Sequence, residues 1–441
     1  MTTPPVRARS PQHSRGSQRA RRTRSHGVAL LLVAGGALLG WALPLWERHV
    51  PAAGLSFDSS TAQATLAAIA GGMITLAGFV VTAITLVVQT VQTMSPRLVA
   101  ALGHFSRYLV LFGLLIGTAL YALVTLSHVR GESVPRMSVT VAVGLVLVDA
   151  VTVLYLLASL RHAVTGGGLA RAVGDRLRTV IDQSYPAAAR PCAPRPEGLD
   201  GGAGLPLLHH GRPAVVYAVD EPRMTRLAAR YGVRVRLLVA IGDFVGFGTT
   251  VARIEAAESG ASIPGAPEIT LGPGLARRVF RCVRFGPSRT VEQDTAYGFR
   301  LLADIAVRSL SPAVNDPTTA VQALDQIEDG LLRLADRPLG STWLLDRKGR
   351  RRVSCPAPHW PDLVSLALDE TILYGYGEPQ IVRRLRALLE RLVTAASEDR
   401  KEPVAERLAA LERLSSTGLP DALLSRVASR PDGQGLGGMT P

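Results

Sequence analysis

The chain reads as an α-helical membrane protein followed by an α+β domain outside the bilayer. Three observations predict this. Apolar residues concentrate in the first 160 positions, in runs long enough to span a membrane. The remaining sequence alternates short β-type segments with amphipathic helical ones. Charge is placed unevenly: of the net +14, residues 1–26 carry +7, residues 27–160 carry +1 and residues 161–441 carry +6.

Residues 1–26 hold seven arginines, no acid and almost nothing apolar, and are expected to be a disordered basic tail. Four spans follow within a transmembrane domain at 27–160: Gly27–Leu45, Ala62–Val91, Tyr108–Leu126 and Met137–Leu160. The first is read as a span and not a signal peptide, because its basic flank is long and no small-x-small site follows. An even number of spans puts both termini on one side. The arginine tail assigns that side to the cytoplasm, with the plasma membrane as location.

Inside the spans, Gly36 and Gly40, and Gly113 and Gly117, stand in the GxxxG spacing that lets helix backbones approach closely. The second span carries a polar seam of Thr75, Thr82 and Gln89, with Thr85 and Gln92 near that face. Its threonines are expected to bond back to their own helix. An amphipathic piece is expected just after it, with Arg97 and Arg107. Asp149 is an acid well inside a span, where a charge costs at least ~2.5 kcal/mol, and so is a functional candidate.

Residues 161–206 read as a helix, Leu169–Ser184, and a Pro/Gly-rich linker; residues 207–285 as a small β-rich subdomain. Strands are expected at Ala214–Val219 and Val233–Val239 around a helix, Glu221–Tyr231, and a helix at Pro273–Phe285. Between them, IGDFVGFGTTVARIEA resembles the turn of biotinyl/lipoyl-type β-barrels, which predicts a small barrel-like part. No lysine lies near it, so it cannot carry either cofactor; no cofactor or metal is expected. A phosphate cradle is not expected there either, because the glycine spacing is wrong and a strand follows where a helix is required.

Residues 286–430 read as a helical domain built around a hairpin, with a disordered tail at 431–441. The first hairpin helix runs Glu292–Leu310, with a charged stripe of Arg300, Asp304 and Arg308 four residues apart. In the turn, Asp316 suits the N-cap and Pro317 the first helical position. The second helix has an apolar face, and its Gln322, Asp325, Gln326, Glu328 and Asp329 are expected to face solvent. Arg289, Glu292, Asp294 and Asn315 have no such local explanation and stand as coupling or binding candidates. A β-hairpin is expected about Arg347–Gly349, and helices at 361–375, 379–397, 403–414 and 418–429.

The four-span half, MSPRL, IGDFVGFG, RTVEQDTAYGFRLLADIAVRSLSPAVNDPTTAVQALDQI and DLVSLALDE together resemble an uncharacterised bacterial membrane-protein family, domain of unknown function 2254. The resemblance implies an integral membrane protein with a cytoplasmic domain and implies no activity.

Functionally, only two lysines and no Gly-Lys-Ser/Thr triplet exclude a P-loop, and no catalytic motif is present, so an enzyme is not expected. Mild basicity outside the tail gives no reason for a nucleic-acid partner. The sequence favours an oligomeric channel or transport component with a cytoplasmic regulatory domain. The alternative is a membrane-anchored sensor or scaffold binding a ligand or protein on the cytoplasmic side. Expected partners are the lipid bilayer and further copies of the chain.

Overall fold

The structure is a computed structural model that describes residues 17–49, 54–94, 105–129, 134–164, 166–185, 192–194, 204–256, 273–419, 421–433 and 435. It divides into two compact units, Met1–Thr165 and Gly166–Pro441.

The first unit holds α1 (Ser17–Glu47), α2 (Ser59–Met94), α3 (Phe105–Leu126) and α4 (Arg136–Val164). All four are long and apolar enough to cross a membrane. Helix α1 begins inside the segment expected to lack structure; residues 1–16 and the amphipathic piece at 95–104 lie outside the described residues. Helix α3 is the hub, packed against the other three. The two GxxxG pairs meet each other across α1 and α3. A Cβ on Gly36 would lie 2.8 Å from the Cα of Gly117, and one on Gly40 would lie 2.7 Å from the carbonyl of Tyr121. The contacts Ala29–Gly113 and Gly40–Tyr121 advance together, so α1 and α3 run parallel. Two apolar layers fill the bundle: Leu66, Tyr121 and Ala142 with their neighbours in one, Ala77, Leu115 and Leu156 in the other. The end of α1 caps α4, because the Glu47 carboxylate accepts from the N–H groups of Met137 and Ser138 at 2.7 and 3.1 Å. A carboxylate at a helix N-terminus satisfies amides that have no partner within the helix.

The second unit is α+β. Its elements are α5 (Gly166–Ser184), β1 (Cys192–Pro194), β2 (Leu205–Leu208), β3 (Ala214–Val219), α6 (Glu221–Arg230), β4 (Val233–Leu237), β5 (Phe244–Val245), β6 (Thr250–Ala256), α7 (Pro273–Phe280) and β7 (Val283–Gly286). There follow α8 (Thr295–Ser309), α9 (Pro317–Leu334), β8 (Thr342–Leu345), β9 (Arg351–Cys355), α10 (Trp360–Gly375), α11 (Pro379–Ala395), α12 (Glu398–Gly418) and α13 (Ala422–Ala428).

The barrel-like part is not a barrel. The strands form two open sheets, one of order β1-β8-β9-β4-β6-β2 and one of order β5-β3-β7. The larger sheet is open because its end strands, β1 and β2, do not pair with each other among the described residues. Inside it β4 pairs on one side with β6 and on the other, in parallel, with β9, through Val235↔Val353. The β8–β9 hairpin thus brings a distant segment into the sheet. Asp346 shapes its turn by accepting from the N–H groups of Lys348 and Arg350, and it pairs with buried Arg352 at 2.8 Å. That hydrogen bond is the main cause of an Asp346 carboxyl lowered to about 2. The helix expected over 273–285 stops at Phe280, and its end becomes β7, which pairs with β3.

The hairpin helices α8 and α9 pack on each other and on α5, α10 and α11. This corrects the solvent-facing reading of α9's polar side in part: Gln322 is exposed and Asp325, Gln326 and Asp329 are half-exposed, but Glu328 is buried. Arg178 of α5 binds Gln326 and Asp329 at 3.0 and 3.1 Å, and Arg384 of α11 binds Asp325 and Glu328. Arg384 is 2% exposed and Glu328 is buried beside it, so that pair lies inside the interface, with Asp325 and Asp329 at its edge. Charged residues at helical spacing look alike whether they face water or a partner's arginines.

Candidate functional site

The candidate site is a cleft of about 390 Å³ in the second unit. The end of α5, the β3–α6 junction, the turn after β4, the segment before α8 and the segments flanking the β8–β9 hairpin line it. Its walls are apolar, from Leu237, Val239, Ile241, Leu344 and several prolines.

The polar floor comes from the two most distinctive sequence blocks. In the first, Ile241-Gly242-Asp243 makes a tight turn: Asp243 accepts from the Ala240 N–H at 2.8 Å, and the Gly242 N–H donates to Val216 of β3 at 2.7 Å. Gly242 has φ +99°, outside the range that side-chain-bearing residues favour. In the second block, Asp294 is the N-cap of α8, accepting from the Tyr297 N–H at 2.8 Å. That cap starts α8 at Thr295, three residues later than periodicity suggests. The Arg289 Nε donates to the second Asp294 oxygen at 2.9 Å, and its guanidinium lies over the Tyr297 ring, 5.4 Å from the centroid.

The two blocks touch. A Cβ on Gly242 would lie 2.6 Å from Asp294 Oδ2 and closer still to the Arg289 guanidinium. The absent side chain at 242 is what lets the turn close over the ion pair. Gln293 ties the floor to the sheet by accepting from the Val219 N–H at 2.8 Å.

Burial dominates the electrostatics. It raises the Asp294 carboxyl although Arg289 opposes the shift. It pushes the Tyr185 phenol up to about 12, with the Thr295 hydroxyl beside it. It raises the Cys355 thiol well above its ordinary value. The cleft therefore offers an apolar body, a half-exposed guanidinium and hydroxyl and amide groups. That set holds a small organic molecule by packing and hydrogen bonding.

Of the sequence candidates, Arg289 and Asp294 meet in the cleft. Glu292 turns toward Arg176 of α5 and Arg284 of β7. The Arg300–Asp304 pair forms at 2.7 Å, but Arg300 also binds Glu370 of α10, and Arg308 is exposed at the last turn; the stripe is a helix–helix clamp. Asn315 and Asp316 lie at the other end of α8, about 20 Å along the helix. Asn315 has φ +46°, the left-handed conformation that asparagine tolerates, in the turn just before α9, and Asp316 caps α9 through Thr319 at 3.0 Å. Both are explained by the turn.

In the first unit, Gln89 is exposed on α2, and Thr75, Thr82 and Thr85 donate to their own helix's carbonyls as expected. The side chain of Gln92 lies outside the described residues. Asp149 of α4 is fully buried. Thr118 of α3 is the polar neighbour, and neither carboxylate oxygen has a hydrogen-bond partner among the described residues.

Reading the sequence misses Tyr185, Glu221, Asp243 and Gln293 as cleft residues. Asp243 stood inside a block already singled out and Gln293 between two candidates. Nothing in the sequence joins Tyr185 or Glu221 to them.

A family model described as "Predicted membrane protein (DUF2254)" matches residues 22–391. An uncharacterized protein of Mycobacterium bovis and one of Mycobacterium tuberculosis are each 29% identical over 262 residues. The match covers 59% of this chain and 48% of each relative, so the chain aligns with about half their length. No solved structure matches.

Proposed function

The chain belongs to the DUF2254 family of predicted membrane proteins, and we propose that it is a membrane-anchored receptor whose second unit binds a small ligand in the Arg289–Asp294 cleft. One observation carries this reading. Two blocks nearly fifty residues apart converge on one cleft, and Gly242 leaves the ion pair room that any side chain would take. Pure scaffolding gives no reason for a polar floor under apolar walls. The arginine-rich start of the chain supports a cytoplasmic location for the second unit. The cleft is assigned binding and no catalytic step.

The test is equilibrium dialysis of the purified full chain against a bacterial metabolite extract, with bound compounds identified by mass spectrometry. A compound retained by the wild type and lost with Gln293→Leu and Arg289→Leu supports the cleft. Retention of nothing, or retention unaffected by both variants, refutes it.

A second reading, a transport component built from several copies, is favoured by Asp149, a buried carboxylate among helices with no hydrogen-bond partner among the described residues. It predicts ion flux in liposomes that Asp149→Asn abolishes. Flux at background in both removes this reading.

A further inference from the structure

We propose that the face of the second unit formed by β2, α7 and the Gly242–Thr249 loop binds an anionic lipid surface. This stretch carries two phenylalanines that folding leaves outside: Phe244, on the short strand β5, is 69% exposed and Phe247, in the loop after it, is 77% exposed. Two exposed aromatics three residues apart gain nothing from the folded core and mark an interaction surface. Phe247 rests edge-on against His210, with ring centroids 5.4 Å apart. His210 in turn borders an apolar groove of about 370 Å³, whose walls are Leu207, Leu208, Ala276 and Phe280 and whose rim is Arg277 and Arg281.

Charge identifies the occupant. The segments that build the groove, 204–219 and 273–286, hold Arg212, Arg277, Arg278, Arg281 and Arg284 and no carboxylate. Arg212, Arg277 and Arg281 are exposed. The nearest acids by chain are Asp220 and Glu221, where β3 passes into α6 and Asp220 caps that helix. Within the face itself the one acid is Asp243, exposed but bonded to the Ala240 N–H of its own turn, and Glu255 pairs with Arg236 at 3.4 Å. Exposed aromatics beside a carboxylate-free arginine rim combine the two signals that together hold a protein on anionic lipid: apolar insertion and headgroup attraction. A protein groove of similar shape would also need acids to meet the arginines.

Covalent connection makes lipid the partner at hand. Helix α4 ends at Val164 and α5 begins at Gly166, so one residue joins the second unit to an apolar helix. A short tether raises the effective concentration of the membrane surface for any face that can bind it.

The experiment is hydrogen exchange on the full chain in nanodiscs of phosphatidylcholine alone or mixed with phosphatidylglycerol. Peptides covering 205–210 and 243–250 are expected to exchange at least about fivefold more slowly in the mixed discs, the effect of one arginine near an anionic surface. Arg277→Gln with Arg281→Gln returns them to the phosphatidylcholine rate, and the lysine pair keeps the protection. Exchange over α8 and α9 reports whether each variant is folded. Should the glutamine pair unfold, high salt on the wild type takes its place and must remove the protection. Equal exchange in both discs overturns the proposal, as does protection that persists in high salt. Protection that follows protein concentration and not lipid composition marks a second copy as the occupant and also overturns it.

Discussion

Replacing Gly242 by alanine separates the cleft's architecture from ordinary loop strain. Two costs are expected. At φ +99° an L-residue sits in a sparsely populated conformation, at about 1–3 kcal/mol. The new Cβ also falls 2.6 Å from Asp294 Oδ2. Arg289 is half-exposed and can swing away, but Asp294 is held as the cap of α8 and is 4% exposed. Losing Arg289 leaves a buried carboxylate without its cation, and removing one partner of such a pair costs about 3–5 kcal/mol. The two costs sum to about 4–8 kcal/mol, and partial relief at the exposed Arg289 end places the expected total at the low end, about 4–5 kcal/mol. Gly248→Ala is the control, because Gly248 has φ +80° with nothing within 4 Å of its Cβ position. It carries the strain alone, about 1–3 kcal/mol. The assay is hydrogen exchange at the Val216 amide, which donates to the Asp243 carbonyl at 2.9 Å and so reports opening of this turn. Equal effects of the two substitutions would refute the account of Gly242 as the residue that lets the blocks close.

Arg384→Ala is expected to destabilise the second unit by about 3 kcal/mol, the low end for breaking a buried pair, because Arg391 still reaches Glu328 at 2.7 Å. Denaturant unfolding checks it, and a loss under about 1 kcal/mol contradicts the buried-interface reading of α9. Gly117→Ile inserts bulk where a Cβ already meets the Leu32 carbonyl at 2.6 Å, so it should separate α1 from α3 and cost at least about 1–3 kcal/mol. Thermal stability in detergent checks it, with Gly71→Ile, at a site open within 4 Å, as the tolerated control. Burial raises the thiols of Cys282 and Cys355, so both should resist alkylation at pH 8 in the folded chain and react on unfolding. Peptide mass spectrometry after iodoacetamide checks this; rapid labelling of either in the folded chain counts against the packing described.

Much of this was legible in the sequence where the signal is local. Runs of about twenty apolar residues locate the spans, and GxxxG spacing marks the helix faces that meet. Asp316 and Pro317 place the start of α9. Long-range pairings were not legible. The parallel contact of β4 with β9 joins segments more than a hundred residues apart, and a turn that resembles a barrel's carries no information about which distant strand joins the sheet. The polar face of α9 could not be told from a solvated one: Arg333 pairs with Asp329 along the helix itself, but Arg178 and Arg384 reach it from other helices. Within the candidate site, Arg289 and Asp294 stood out because no local rule explained them. Tyr185 and Gln293 join them only through the fold.

The central claim is that the Ile241–Asp243 turn and the Arg289–Ala296 segment form one ligand cleft. Hydrogen exchange of the full chain with and without a compound retained from the metabolite extract tests it most directly. The account predicts that the compound slows exchange in both segments together, and that Gly242→Ala abolishes both effects. Protection confined to one segment, or located outside the cleft, would contradict it.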